Sequence, residues 1–295
     1  MSVRSQAIVP LKRRCELSVA IPASLVSDVP HLREKTFKTG LVGRAAAIFR
    51  VEEIIIFPDL VDKDQSRDIE LITTILSYME TPQYLRKRLF KIRPELRYAG
   101  VLPPLRTPHH PLSDRTENLE VGEHREGVVT SLAKGGSLLD IGVERPVLIP
   151  DTRLPINNRV TVRVTELGKH PKAVLASRSE IKMYWGYRVT VSDVSFGQLL
   201  KNRFFDLAIA TSRYGSPLAE VMDRLAKRWK SSHRILVAFG APTQGLYEIV
   251  SRESLNLDEI AHFVINTIPG QGTETVRTEE ALYASMAALN LLDGE

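Results

Sequence analysis

The chain has 295 residues, 43% hydrophobic and 25% charged, with a formal net charge of +5 and a pI near 9.3. Such values fit a globular protein of one or two domains with material for a real core, and argue against a disordered or fibrous chain. A lone cysteine, Cys15, excludes an intramolecular disulfide and a Cys-rich zinc site, and no apolar run has the length of a bilayer span or a secretory leader; the expected setting is the cytoplasm, with no metal and no membrane.

Residues 16–22, ELSVAIP, alternate as a strand does, and the spacing of TFKTGLVGRAAAIFR predicts a helix over 36–50, with Gly40 and Gly43 as its weak points. EIIIF, residues 53–57, is a short apolar strand stopped by Pro58-Asp59. A helical pattern follows over 68–79, and another after Pro82 that Pro94 should end or kink. Residues 1–110 carry 18 Lys+Arg against 12 Asp+Glu, so the basic surplus of the chain lies here. Its densest part is YLRKRLFKIRPELR, residues 84–97, with six basic residues and one acid. A nucleic-acid contact and a solvated helix face both account for such a cluster.

Residues 101–112 hold Pro103, Pro104, Pro108 and Pro111 without a regular period, which reads as a connector. His109 and His110 are adjacent, so they cannot share one helix face as paired metal ligands would; they read as loop histidines. Residues 121–178 then give five short alternating runs with turns between them, the pattern of a small five-stranded barrel of the OB type. GSLLDIGVERP, residues 136–146, imitates the first glycine motif of a Rossmann methyltransferase. Val143, Glu144 and Arg145 stand where that motif needs glycines, and no helix follows, so the Rossmann reading fails.

From Trp185 the pattern turns α/β. YRVTVSD, FDLAIATS, RILVAFG and AHFVINTI read as strands, with helices over FGQLLKNR, from Pro217 to about Lys230, and over 278–292. Thr278 is expected as the N-cap of the last helix, with Glu279 and Glu280 in its first turn and Leu282, Met286 and Leu289 on its core face. Three glycine-bearing loops follow three of the strands: 210–215 (ATSRYG), 240–245 (GAPTQG) and 266–272 (NTIPGQG). Loops at the carboxyl ends of strands are the usual ligand site of an α/β sheet, and glycine lets backbone approach a ligand closely. A glycine after one strand is more often a plain turn; three such loops together suggest a pocket.

In these residues the chain resembles two families. EGVV…GGSLLDIGVERPVLIPDT is similar to S1-like OB-fold RNA-binding domains, although residues 121–178 hold no Phe, Tyr or Trp for stacking on bases. FDLAIATS, ILVAFGAP, FVINTIPGQGTETVRTEEAL and IFRVEEIIIFPD resemble the SPOUT superfamily of trefoil-knotted methyltransferases, in its archaeal and eukaryotic group with an inserted OB-fold. That resemblance implies an α/β fold: a knotted SPOUT catalytic domain split into residues 1–110 and 181–295, with the all-β S1-like OB barrel inserted over 111–180. It implies S-adenosylmethionine as methyl donor, held by Thr211, Ser212, Arg213, Gly240, Asn266, Thr267, Ile268, Gly270 and Gln271, with Gly272 shaping the loop. It also implies a homodimer acting on RNA, with uridine N3 of large-subunit rRNA as the expected acceptor. Arg277 is the candidate to stabilise the developing uridine anion, with a structural salt bridge to Glu279 or Glu280 as the alternative, and Glu279 is a candidate general base, with helix capping as its alternative. A non-catalytic RNA-binding or ribosome-assembly protein, and an enzyme acting on tRNA or protein, stay open at this point.

Overall fold

The computed structural model describes residues 9–60, 62–202 and 205–293. In chain order the strands and helices are β1 (Glu16–Pro22), α1 (Leu32–Ile48), β2 (Glu53–Phe57), α2 (Ser66–Glu80), α3 (Gln83–Leu89), β3 (His124–Ala133), β4 (Gly136–Asp140), β5 (Val147–Pro150), β6 (Arg159–Glu166) and β7 (Lys172–Leu175). They continue as β8 (Arg188–Val191), α4 (Phe196–Lys201), β9 (Leu207–Pro217), α5 (Leu218–Ser231), β10 (Arg234–Ala238), α6 (Leu246–Ser251), α7 (Leu257–Ile260), β11 (Phe263–Asn266) and α8 (Thr278–Asn290). The chain forms two compact units. One holds the described residues up to Lys12 with 81–93 and 106–186; the other holds 13–80, 94–105 and the described residues from Tyr187 onward.

The second unit is built on a six-stranded sheet, ordered β11-β9-β10-β1-β2-β8, in which every neighbouring pair is parallel. Its inner strands β1, β2 and β10 are apolar on both faces, and both faces are covered. Leu17, Val19 and Ile21 of β1, Ile54 and Ile56 of β2, and Ile235 and Val237 of β10 pack toward α1, α2, α5 and α8. The alternate residues, among them Ala20, Ile55, Phe57, Leu236 and Ala238, pack with α4, α6 and α7. Leu282, Met286 and Leu289 of α8 are fully buried, as their spacing predicts.

Several local expectations change. α1 starts at Leu32 rather than Thr36, and the Thr36 and Thr39 hydroxyls bond back to the carbonyls of Leu32 and Lys35. The helix expected over FGQLLKNR spans Phe196–Lys201; Arg203 lies outside the described residues. α6 and α7 have no counterpart in the sequence pattern, since elements of six and four residues are too short to display a helical period. β9 is also longer than FDLAIATS suggests. It pairs with β11 at Ile209 and Ala210, loops out, and pairs again at Ser216 and Pro217. A β-carbon on Gly215 would sit 2.7 Å from backbone atoms of Ile265, so the return to the sheet requires glycine there.

The first unit is a closed five-stranded barrel, ordered β3-β4-β5-β7-β6, with β6 pairing back onto β3. Alternation puts Val129, Leu139, Ile141, Val147, Ile149, Val162, Val164 and Ala173 inside. Glu126 of β3 is 2% exposed yet charged. It accepts from Arg159 Nε, Thr161 Oγ1 and Trp185 Nε1, each at 2.7 Å. Burial alone would raise this carboxyl; the Arg159 and Arg178 guanidiniums and the Thr161 and Trp185 hydrogen bonds overcome it and hold Glu126 below its ordinary range.

Candidate active site

The three glycine loops converge at the carboxyl ends of β9, β10 and β11 around a cavity of about 540 Å³. Thr211, Ser212 and Arg213 line it from the excursion in β9, Gly240 from the loop after β10, and Asn266, Thr267, Ile268 and Gln271 from the loop after β11. Gly270 and Gly272 do not line it. Gly270 has φ of +67° and shapes the turn between lining residues.

The loops are fastened to one another by side chains. Thr211 Oγ1 donates to the Ala238 carbonyl at 2.8 Å, at the end of β10. Asn266 Nδ2 donates to the Arg213 carbonyl at 3.0 Å, while its Oδ1 accepts the Ile268 N–H at 2.9 Å. Arg213 donates to the Glu274 carbonyl at 2.9 Å, and its guanidinium lies 4.8 Å from the ring centre of Tyr214. Thr267 and Ser285 hydroxyls meet at 2.7 Å, which ties the third loop to α8. The expectation that Thr278 caps α8 is corrected. Arg277 is the N-cap residue, its N–H donates to the Glu280 carboxylate at 2.9 Å, and Thr278 Oγ1 donates instead to the Gly240 carbonyl at 2.8 Å.

The two residues expected to do chemistry lie outside the cavity lining. Arg277 is exposed beside the lining residues Val276 and Thr278, and its side chain has no ion pair among the described residues, so the salt bridge to Glu279 or Glu280 is not formed. Glu279 is buried and lies 3.5 Å from Lys38 Nζ, which also holds Asp28 at 2.6 Å. Burial pushes the Glu279 carboxyl up, and Lys38 only partly offsets it. Among the described residues no group of His, Cys, Asp and Glu could hold a metal ion, and no helix is long and apolar enough to cross a membrane.

Residues 16–289 match a family model described as "Putative RNA methyltransferase". The chain belongs to this RNA methyltransferase family. It is 35% identical to an uncharacterized protein of Halobacterium salinarum, covering 94% of this chain and 99% of that one. It is also similar to two proteins named 28S rRNA (uridine-N(3))-methyltransferase. The mouse protein is 34% identical over 92% of this chain and 75% of its own length, and the human protein 34% identical over 92% and 77%.

Sequence reasoning missed part of the cavity wall. Gln244, Tyr247 and Glu248 line it from the second loop and α6, Ala281 and Ser285 from α8, and Glu274, Thr275 and Val276 from the third loop. Gln244 is buried, and its Nε2 donates to the Asp59 carboxylate at 3.0 Å, which anchors the second loop to the end of β2. Asp59 is expected from the sequence only as a strand stop. Its carboxylate also accepts from Ser24 N–H at 3.0 Å and Gln65 Nε2 at 2.9 Å.

Proposed function

We propose that this RNA methyltransferase uses S-adenosylmethionine to methylate uridine N3 in large-subunit rRNA. The observation that carries the donor assignment is the cavity itself. Its volume of about 540 Å³ suits a small cofactor, and its wall mixes Ala241, Ile268, Val276 and Ala281 with polar backbone from three loops. An adenine fits the apolar stretch between backbone donors and acceptors, and the exposed Glu248 carboxylate suits ribose hydroxyls or an ammonium group. The acceptor assignment rests on the relatives whose names specify uridine-N(3) methylation of 28S rRNA.

Bound S-adenosylmethionine supplies an electrophilic methyl group on sulfonium. The residues of this chain then position and stabilise. N3 must give up its proton to water before it is a good nucleophile, and the resulting charge spreads onto the flanking carbonyl oxygens. Arg277, exposed next to the cavity wall, is assigned to that charge. Tyr214 lines the cavity yet is 71% exposed, so its ring is assigned to stacking on the incoming base. Glu279, buried against Lys38, is assigned to holding the start of α8 rather than to taking the proton.

The same reading carries the knot, the OB assignment, the insertion and the dimer. The Thr278–Gly240 bond lays the C-terminal segment against the second loop, as threading through a knot requires. The barrel closes in the order first-second-third-fifth-fourth strand, the order of an OB-fold. The barrel is taken as inserted between two parts of the catalytic domain. Two copies are taken to share the cavity region, and light scattering on the purified protein should give twice the chain mass.

Incubation with isotopically labelled S-adenosylmethionine and fractionated RNA, followed by nucleoside mass spectrometry, should yield labelled 3-methyluridine in large-subunit rRNA. Label on another nucleoside, or only in tRNA or protein, would overturn the assignment. Arg277→Ala should slow single-turnover transfer with bound RNA by about 100-fold; full retention of the rate would remove Arg277 from the chemistry.

A further inference from the structure

The basic tract over 84–97 divides at Pro94: its first ten residues group with the barrel and Pro94–Arg97 with the other unit. Residues 81–93 belong to the barrel unit. Tyr84 of α3 fixes them in place. Its hydroxyl donates to the Glu126 carbonyl at 2.8 Å, and its ring lies against Gly142, where a β-carbon would sit 2.6 Å from ring atoms. Gly142 has φ of +83°, so two constraints demand glycine at that contact. The Arg159 guanidinium, already paired with Glu126, also donates to Thr81 Oγ1 at 3.2 Å. Both anchors act on the short stretch before the basic residues.

Beyond these anchors the chain carries a run of exposed cations. Lys87, Arg88, Lys91 and Arg93 are all exposed, and none has an ion pair or hydrogen-bonded side-chain partner among the described residues. No acid occurs between Gln83 and Pro94. Elsewhere in the same unit four cations are matched, Arg125 with Glu123, Arg159 with Glu126, Lys172 with Glu166 and Arg115 with Glu117, while the other unpaired ones do not form so dense a run. Favourable placement at the carbonyl end of α3 accounts for Lys87 and Arg88. It does not account for Lys91 and Arg93, which lie beyond the helix.

We infer that Lys87, Arg88, Lys91 and Arg93 form a phosphate-binding surface through which the barrel unit grips single-stranded RNA. The inference rests on the RNA methyltransferase reading for its choice of polyanion. The barrel chemistry supports it independently: residues 121–178, which carry all five barrel strands, contain no Phe, Tyr or Trp on which bases could stack. Binding must then run mainly through phosphates, which makes it insensitive to sequence and strongly dependent on salt.

The test is fluorescence anisotropy of the full chain with a labelled 20-nucleotide oligouridylate at rising KCl. Each phosphate contact on a single strand contributes about 0.7 to the slope of log K against log salt, so losing four should flatten it by about 3. The variant K87Q/R88Q/K91Q/R93Q should show that flattening and at least about tenfold weaker binding at low salt. The charge-preserving variant K87R/R88K/K91R/R93K should bind as the parent does. An unchanged slope in the Gln variant, with an unchanged melting curve, would overturn the inference. So would a variant that loses binding to phosphatidylglycerol vesicles while keeping its affinity for the oligouridylate. If the Gln variant instead unfolds, the pair Lys91→Gln and Arg93→Gln, outside the helix, should flatten the slope by about 1.4, and no flattening overturns the inference. Titration of the parent with S-adenosylmethionine separates the two levels: absent heat there removes the S-adenosylmethionine reading of the cavity and leaves the salt slope standing.

Discussion

In the barrel, the buried Glu126 carboxylate is enclosed by Arg159, Thr161 and Trp185; at the cavity, the carboxylates of Glu248 and Glu274 are exposed and have no ion pair among the described residues. The Glu126 carboxylate is satisfied internally, so its place is set before any ligand arrives. The cavity satisfies loop backbone through Thr211, Asn266, Arg213 and Thr278 and leaves other polar groups of its wall available. That difference separates a group that holds structure, such as Glu126 with its three partners, from one that is ready to meet a ligand, such as Glu248 with no ion pair among the described residues.

The contrast between the two regions breaks most strongly at Glu126. Glu126→Ala strands Arg159 without its buried partner and should destabilise the barrel by about 3–5 kcal/mol, read as a lower urea midpoint. Because the folded Glu126 carboxyl is held below its unfolded value, its stabilisation is complete above the ordinary carboxylate range. It is lost as pH falls through the lowered folded value, so the gap between parent and variant should close in acid. A gap that stays constant from neutral pH to below the carboxylate range would mean the charge contributes nothing.

At the cavity, Gly215→Val forces a side chain against the Ile265 backbone and displaces the first loop. Methyl transfer should fall by about 100-fold, since displacement of a binding group by about 1 Å has that scale of effect. RNA anisotropy should be unaffected; a matching loss of RNA affinity would mean the defect is not local. The smallest expected change is Thr278→Val, which leaves the Gly240 carbonyl without its hydroxyl partner. It should weaken donor binding by about 1 kcal/mol, roughly fivefold.

The sequence makes some of this legible and hides the rest for physical reasons. Strands covered on both faces show as apolar runs, so ELSVAIP, EIIIF and RILVAFG identify themselves, and the barrel strands show by alternation. The lining role of Thr211, Gly240 and Thr267 follows from where loops leave a parallel sheet. Other features depend on partners far apart in the chain. Gln244 meets Asp59 across 185 positions, and Glu126 meets Trp185 across 59, distances at which no local pattern links them. Thr278 illustrates a different limit: Thr before two glutamates is a sound capping signal, but its hydroxyl finds the Gly240 carbonyl, and the cap passes to Arg277.

Three loops, joined by these bonds, are proposed to hold a methyl donor. Isothermal titration of the full chain with S-adenosylmethionine tests it directly. Saturable heat with one site per chain is the predicted result, weakened about fivefold in Thr278→Val. No heat at millimolar donor, from protein that melts cooperatively, would contradict it.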